Sequence, residues 1–371
     1  MGTGASSAAA DTRRIVVTSV GVAGPMAAAA VAKGLGVPAE WAVAAVYRAP
    51  AVLADRVPLH TAEAMVRLLT AMGLHAMAVP QDEPAPTAPT LYDVALYLSD
   101  PRAVPVAAAE LAAFAAIDES AALAMILTPP GLVLGAVSTA TVEALSVRLP
   151  RGVELVAARP ADSTYHLFLA DGPAAPRTRF LADLEALGLP AIAQSGLVAT
   201  AVPHALVQQL WRRHQAAGLM RAVNAAFLRY DVVLTALGGV DPADPEVGVA
   251  LQRHTAMPAE VAPSALKDLP LTLMEGVAQA DLADRLAVLT ALGLEVRAEL
   301  TTFQHLTVVV SQPVEAATLR PLLARFDLCL NGGAASGAPF EVVHVPELQA
   351  RILRTALEDA GATVHFAGGS A

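Results

Sequence analysis

Hydrophobic and polar positions recur in a fixed order along the chain, and the order is clearest between residues 228 and 300. Residues 230–237 form a short, β-branched, apolar run closed by Gly238 and Gly239, which predicts a buried strand followed by a turn. Two helices are predicted next, one capped near Asp244 and the other beginning at Pro258, because proline is tolerated in the first turn of a helix. This half of the stretch therefore predicts a strand followed by a helix pair.

The second half of the stretch changes its period twice. Residues 271–276 predict a short extended link. Leu282 and Leu286 belong to an apolar series at helical spacing, and Gly293 supplies the C-terminal cap of that helix. Residues 294–300 then alternate between apolar and polar, which predicts a closing strand. The predicted unit is a strand, two helices, an extended link, a helix and a strand.

The same order returns along the rest of the chain, so the sequence predicts a repeat protein. Its predicted fold class is α/β (α+β), with about five tandem small units of the β-α-α-β-α-β type. The predicted segments are a disordered tail at 1–12, unit one at 13–79, a proline-rich linker at 80–90, unit two at 91–158, unit three at 164–227, unit four at 228–300 and unit five at 304–367. In unit five a glycine-rich loop at 331–337 takes the place of the second helix.

Short motifs in units one and four resemble a known family. The segments KDLP at 267–270 and EGV at 275–277, followed by Gly293, occur in the order found in the C-terminal domain of the acidic bacterial ribosomal stalk protein. Unit one adds GLGV at 34–37, at the joint of its helix pair. The other three units share only the periodic pattern. The resemblance implies the fold of each unit and a helix pair whose lysines and arginines bind translation GTPases.

The helix pair departs from that family in its charge. The helix predicted at 25–33 consists mostly of alanine, and cations are few in both units. Hydrophobic docking is therefore expected in place of electrostatic steering. The predicted partner-binding residues are the remaining cations and the larger apolar residues of the helix pair in unit one: Val37, Trp41, Tyr47, Lys33, Arg253 and Lys267. Ordinary core packing of the two aromatic residues is an equally open interpretation.

Composition narrows the classes of partner and compartment. The net charge of −10 argues against nucleic acid, because phosphate binding needs a basic face. Only 16% of the residues are charged and 55% are hydrophobic, so apolar surface is expected between units or against protein partners. The single cysteine, Cys329, excludes an internal disulfide and suits the cytoplasm. Prolines and glycines interrupt the uncharged runs at 121–141 and 188–209, so no membrane insertion is predicted.

A search for catalytic motifs finds little. The nine histidines form no pair with cysteine or carboxylate at metal-ligand spacing, and no cofactor is predicted. Ser195 lacks the Gly-x-Ser-x-Gly frame of a nucleophile elbow. His344 and His365 are expected to face each other across neighbouring strands of unit five, with His305 close to the first strand. They leave open a metal- or ligand-binding protein centred on that unit, although the sequence favours a protein that is not an enzyme.

Together these observations predict a non-catalytic protein–protein interaction or scaffold component of a larger bacterial assembly in the cytoplasm. The expected partners are proteins, including a large multi-subunit assembly such as an appendage, a motor or a phage-like particle. One alternative is a stalk-like protein that binds translation GTPases. Another is the metal- or ligand-binding protein centred on unit five.

Overall fold

The computed structural model describes residues 11–189, 196–255, 257–312 and 339–370. These residues form five three-stranded antiparallel sheets with helices between the strands, which confirms the predicted α/β fold of repeated units. In every sheet the first strand of the repeat lies in the centre. The chain divides into two compact bodies, with the boundary between Pro160 and Ala161. Repeats one and two form the first body, and repeats three to five belong to the second.

Repeat one contains all six elements of the pattern. They are β1 (Thr12–Ser19), α1 (Pro25–Leu35), α2 (Ala39–Tyr47), β2 (Ala51–Pro58), α3 (Leu59–Ala71) and β3 (His75–Pro80). Strand β1 pairs antiparallel with β2 on one side and with β3 on the other. The extended link is therefore an edge strand, β2, whose backbone hydrogen bonds go to β1. Ile15 and Val17 of β1 are fully buried, and α2 and α3 pack against this strand.

Repeat two follows the same plan 80 residues later. Its elements are β4 (Leu91–Leu98), α4 (Val104–Ala115), α5 (Glu119–Leu127), β5 (Leu132–Ser138), α6 (Thr139–Ser146) and β6 (Val153–Ala158). Ala116 stands 80 residues after Gly36, and each ends the first helix of its pair in the left-handed conformation. The two repeats therefore end this helix with the same left-handed cap at the same place, although one cap is alanine and the other is glycine.

The second body holds the remaining repeats. Repeat three contains β7 (Thr164–Leu169), α7 (Ala174–Ala186), β8 (Leu197–Pro203), α8 (His204–His214) and β9 (Met220–Asn224). Repeat four contains β10 (Arg229–Ala236), α9 (Pro245–His254), α10 (Ala262–Ala265), β11 (Leu271–Ala278), α11 (Gln279–Ala291) and β12 (Glu295–Leu300). Repeat five contains β13 (His305–Gln312), β14 (Phe340–Pro346), α12 (Glu347–Asp359) and β15 (Thr363–Ser370). The predicted glycine-rich loop at 331–337 lies outside the described residues.

One helix of repeat four is much shorter than predicted. The sequence pattern extends it from Pro258 to about residue 268, whereas α10 covers only Ala262–Ala265. Pro263 explains where it starts, because proline has no N–H to donate and fits only in the first turn of a helix. Backbone turns at residues 258–262 occupy the rest of the predicted N-terminal half.

A bulge recurs at the same place in all five repeats. The second strand of each repeat has a residue with positive φ two positions before its end: Arg56, Ala136, Ala201, Gly276 and His344. At each of these sites the pairing with the central strand shifts register, as a bulge requires. The next helix begins three residues after the bulged residue. The bulge thus marks the turn from edge strand to helix in every repeat.

In two repeats the central strand supplies a side chain that accepts a hydrogen bond from the bulge. In repeat two the N–H of Ala136 donates to Asp93 Oδ1 at 3.1 Å, and in repeat four the N–H of Gly276 donates to Asp231 Oδ1 at 2.9 Å. These hydrogen bonds satisfy a backbone donor that the bulge removes from the strand pairing. At the equivalent position repeat three has His166.

Candidate protein-interaction surface

The helix pair of repeat one presents apolar side chains to solvent. Helix α1 starts at Pro25, and Gly36 in the left-handed conformation ends it. Ala28 and Ala42 are fully buried, and such small side chains let α1 and α2 approach closely. On the outer face Met26 is 79% exposed. The sequence therefore buries the small residues of this pair and leaves a large apolar one outside.

The sequence-predicted residues of repeat one fall into two groups. Trp41 is 42% exposed on α2, Lys33 is exposed in the last turn of α1, and Val37 between the two helices is half-buried. These three residues belong to one helix pair and are accessible. Tyr47 differs, because it is only 9% exposed.

Tyr47 belongs to the contact between repeats one and two. Its hydroxyl donates a hydrogen bond to the backbone carbonyl of Phe114, and the two rings meet edge to face with centroids 5.6 Å apart. Thr141 Oγ1 donates to the carbonyl of Tyr47 at 2.7 Å. Burial raises the pKa of Tyr47 to about 12. The expectation that Tyr47 is exposed is therefore wrong, because repeat two covers it; core packing, the other open interpretation, describes this residue.

Repeat four carries the same surface in the second body. Arg253 stands 220 residues after Lys33, and Val261 stands 220 residues after Trp41. Arg253 lies in the last turn of α9 as Lys33 lies in the last turn of α1, and both are exposed. Val261 is 44% exposed, close to the value for Trp41. An exposed cation and an exposed apolar side chain thus recur at the same sequence interval, with Trp41 inside α2 and Val261 directly before α10.

Lys267, the last predicted residue, is also exposed. It stands 220 residues after Tyr47 and so occupies the same place in its repeat. The position is buried in repeat one and exposed in repeat four, which fits tyrosine in the first and lysine in the second. The constant interval of 220 residues was available from the sequence. Aligning PAEW at 38–41 with PAEV at 258–261 reveals it.

The histidines of repeat five are not arranged as predicted. His344 is on β14 and His365 is on β15, and β13 separates these two edge strands, so the prediction that they face each other is wrong. His344 instead stacks on His305, with ring centroids 4.3 Å apart and planes 13° from parallel. Burial and then the charge of His344 lower the pKa of His305.

This stack is poorly arranged for a metal ion. Ligand nitrogens must direct their lone pairs toward one point, whereas nearly parallel rings direct them side by side. In the part of the chain that the structure describes, no group of three or more His, Cys, Asp or Glu side chains could hold a metal ion. Nor does any helix within those residues have both the length and the apolar character needed to cross a membrane.

Comparison with known proteins adds no neighbour to this description. No family model, no curated protein and no solved structure matches the chain.

Proposed function

We propose that this chain is a non-catalytic protein-interaction or scaffold component of a larger bacterial assembly, and that it acts in the cytoplasm. The observation that carries the proposal is the repeated surface on the helix pairs of repeats one and four. Trp41 and Val261 are exposed at equivalent positions, and Lys33 and Arg253 accompany them on the preceding helices. Large exposed aromatic residues are enriched among the residues that dominate protein–protein binding.

Placing one surface in each compact body has a physical consequence. Once the first helix pair binds a partner, the second is held nearby at a raised effective concentration. Two weak hydrophobic contacts then act together, provided that the partner carries more than one binding site. A multi-subunit assembly meets that condition, because it repeats its own surfaces.

The proposal is tested by affinity capture from native bacterial lysate with the tagged full-length chain, followed by quantitative mass spectrometry. The double variant Trp41→Ala with Val261→Ala is expected to recover about tenfold less of the assembly than the unmodified chain, since losing a central apolar contact costs roughly 1–2 kcal/mol or more. Leu68→Ala is the matched control, because Leu68 is 61% exposed on α3, outside the helix pair.

Two outcomes would contradict the scaffold proposal. In one, the double variant recovers the same assembly as the unmodified chain and the Leu68→Ala control. In the other, the unmodified chain recovers no protein above background.

A second candidate function is binding of a translation GTPase, as the resemblance to the ribosomal stalk family implies. The equivalent placement of Lys33 and Arg253 favours it, because both cations end the first helix of a pair. Direct binding to a purified elongation factor tests it. Charge reversal at both positions should abolish binding that weakens with salt, whereas reversal of Arg67, exposed on α3, should not. Absence of binding by the unmodified chain removes this candidate.

A further inference from the structure

One long segment of this acidic chain contains no acidic residue. Residues 186–230 include no aspartate or glutamate, and their only lysine or arginine residues are Arg212, Arg213, Arg221 and Arg229. The formal charge of this segment is therefore +4, whereas the whole chain carries −10. Arg229 is buried, while Arg212 and Arg213 lie together on the exposed face of α8.

An open cleft lies along that face of α8. It has a volume of about 590 Å³ and is lined by Ala205, Gln208, Gln209, Arg212 and Arg213. All five residues are exposed, and their spacing of three and four places them in one stripe along the helix. On the opposite face Val207 and Leu210 are buried in the hydrophobic core of repeat three. The core therefore fixes the helix that carries the cleft.

An ion pair fixes one side of the cleft. Arg213 Nη1 is 3.2 Å from Asp183 Oδ2 on α7, and His214 Nε2 is 2.8 Å from the same oxygen. Hydrogen bonds with His214 and then with Arg213 lower the pKa of Asp183. The Arg213 side chain is still 52% exposed, so further N–H groups of its guanidinium face solvent. Arg212 is exposed and has no ion pair among the residues that the structure describes.

No carboxylate balances the arginines within α8. A helix follows the bulge in each repeat, and in the described part of the chain α8 is the only one of these five helices without aspartate or glutamate. Gln208 stands four residues after the start of α8, where α3 has Glu63 and α6 has Glu143. Arg67 occupies in α3 the place of Arg212 in α8, but Glu63 lies one turn before it. The unbalanced positive charge is thus particular to repeat three.

The side chains of the cleft match the groups of an acidic peptide. Guanidinium groups bind carboxylates through two parallel N–H···O bonds, and side-chain amides can both donate to and accept from a peptide backbone. Gln208 Nε2 lies 2.8 Å from His204 Nε2, a contact that orients its amide. Trp211 is 47% exposed and lies beside Gln208 on the helix, where it offers an aromatic surface to an apolar side chain. Nucleic acid fits less well, because two arginines are few for a chain with a net charge of −10.

We propose that the cleft on α8 binds an acidic segment of a partner protein. Neighbouring carboxylates of the segment pair with Arg212 and Arg213, and an apolar side chain between them packs on Trp211. The site uses no residue of the helix-pair surfaces of repeats one and four. It therefore stands or fails independently of the scaffold proposal.

A fluorescence titration of the full-length Trp41→Phe variant tests the cleft, because Trp211 is then the only tryptophan. The probe is a peptide of sequence Glu-Glu-Leu-Glu-Glu-Leu-Glu-Glu, acetylated and amidated at its ends. We expect a dissociation constant of about 10–100 μM at low salt, with weaker binding as salt is added. The same peptide with glutamine in place of every glutamate should bind about tenfold more weakly or worse, because it lacks the carboxylates.

A pair of variants locates the binding on α8. Arg212→Gln should weaken binding of the acidic peptide about tenfold, since it removes one guanidinium–carboxylate pair. Arg67→Gln is the matched control, because Arg67 is exposed at the same place on α3. The urea midpoint reported by Trp211 should be unchanged in Arg212→Gln, which separates lost binding from lost folding.

Four results would overturn the proposal. The acidic peptide does not bind at about 1 mM. The glutamine peptide binds as well as the acidic one. Arg212→Gln binds the acidic peptide as tightly as Arg67→Gln does. A short duplex DNA binds more tightly than the acidic peptide at physiological salt, which would make the cleft a nucleic-acid site instead.

Discussion

The contact between repeats one and two offers a sharp test through Tyr47→Phe. The substitution keeps the ring against Phe114 and removes only the hydroxyl that donates to the carbonyl of that residue. The lost hydrogen bond contributes roughly 0.5–1.5 kcal/mol, and an unsatisfied buried acceptor adds to the loss. We therefore expect the free energy of unfolding of the first body to fall by about 1–2 kcal/mol.

The two tryptophans make this measurable in the full chain. Trp41 lies in the first body and Trp211 in the second, so replacing Trp211 by Phe leaves a fluorescence reporter for repeat one. Conversely, replacing Trp41 leaves a reporter for the second body. Urea unfolding with the Trp41 reporter then gives the change in midpoint for Tyr47→Phe at constant slope.

A matched variant separates the hydrogen bond from a general effect of removing a hydroxyl. Tyr92 is half-buried on β4, and its hydroxyl makes no hydrogen bond within the described part of the chain, so Tyr92→Phe should change stability by less than about 0.5 kcal/mol. If Tyr47→Phe proves as mild as Tyr92→Phe, the assigned role of Tyr47 is refuted. Thr141→Val should weaken the same contact independently, because Thr141 donates to the carbonyl of Tyr47.

Three predictions concern the second body and use its own fluorescence reporter. Burial raises the pKa of Asp231 to about 6, so its contribution to stability is complete below the unfolded pKa of 3.8 and is lost as pH rises through about 6. Urea unfolding at pH 8 should therefore show the Asp231→Asn variant to be more stable than the unmodified chain by about 1–2 kcal/mol. Equal stabilities at pH 8 would contradict this. Burial lowers the pKa of His166, whose Nε2 lies 3.0 Å from the Tyr230 hydroxyl, so its contribution to stability is present above pH 6.5 and is lost as pH falls. The His166→Gln variant should therefore show a smaller change in urea midpoint between pH 7 and pH 5 than the unmodified chain. An equal change in both proteins would count against this prediction. Gly276 has a φ of 64°, so Gly276→Ala should lower the free energy of unfolding by about 1 kcal/mol. Ala201 has a φ of 53°, so Ala201→Gly should leave the free energy of unfolding unchanged or raise it slightly. Equal urea midpoints for the two variants would contradict the bulge geometry.

Much of the local structure was predictable from the sequence. Residues 230–237 were expected as a strand and lie within or next to β10, and residues 25–33 were expected as a helix and lie within α1. Prolines and glycines mark the ends of the elements in each unit, and the spacing of apolar residues differs between strands and helices. Both signals extend over only a few residues, so they can be recognised in the sequence. The 220-residue interval that relates Lys33 to Arg253 was also present in the sequence.

Other features depend on groups that are distant along the chain. Tyrosine is a residue type that is common in binding surfaces, so the sequence alone allowed Tyr47 to be exposed. It is buried because Phe114 and Thr141 of repeat two pack against it. His344 and His365 were expected on neighbouring strands, whereas the sheet puts the first strand of the repeat between them.

By itself, the sequence determined the order of strands and helices in each repeat, because period, proline and glycine act through local backbone preferences. Tertiary structure alone decided which side chains lose contact with water. Glu347 begins a helix as an ordinary surface glutamate would, yet the folded chain leaves its side chain only 19% exposed. Burial depends on surfaces brought together from separate repeats, and no local pattern specifies which surfaces meet.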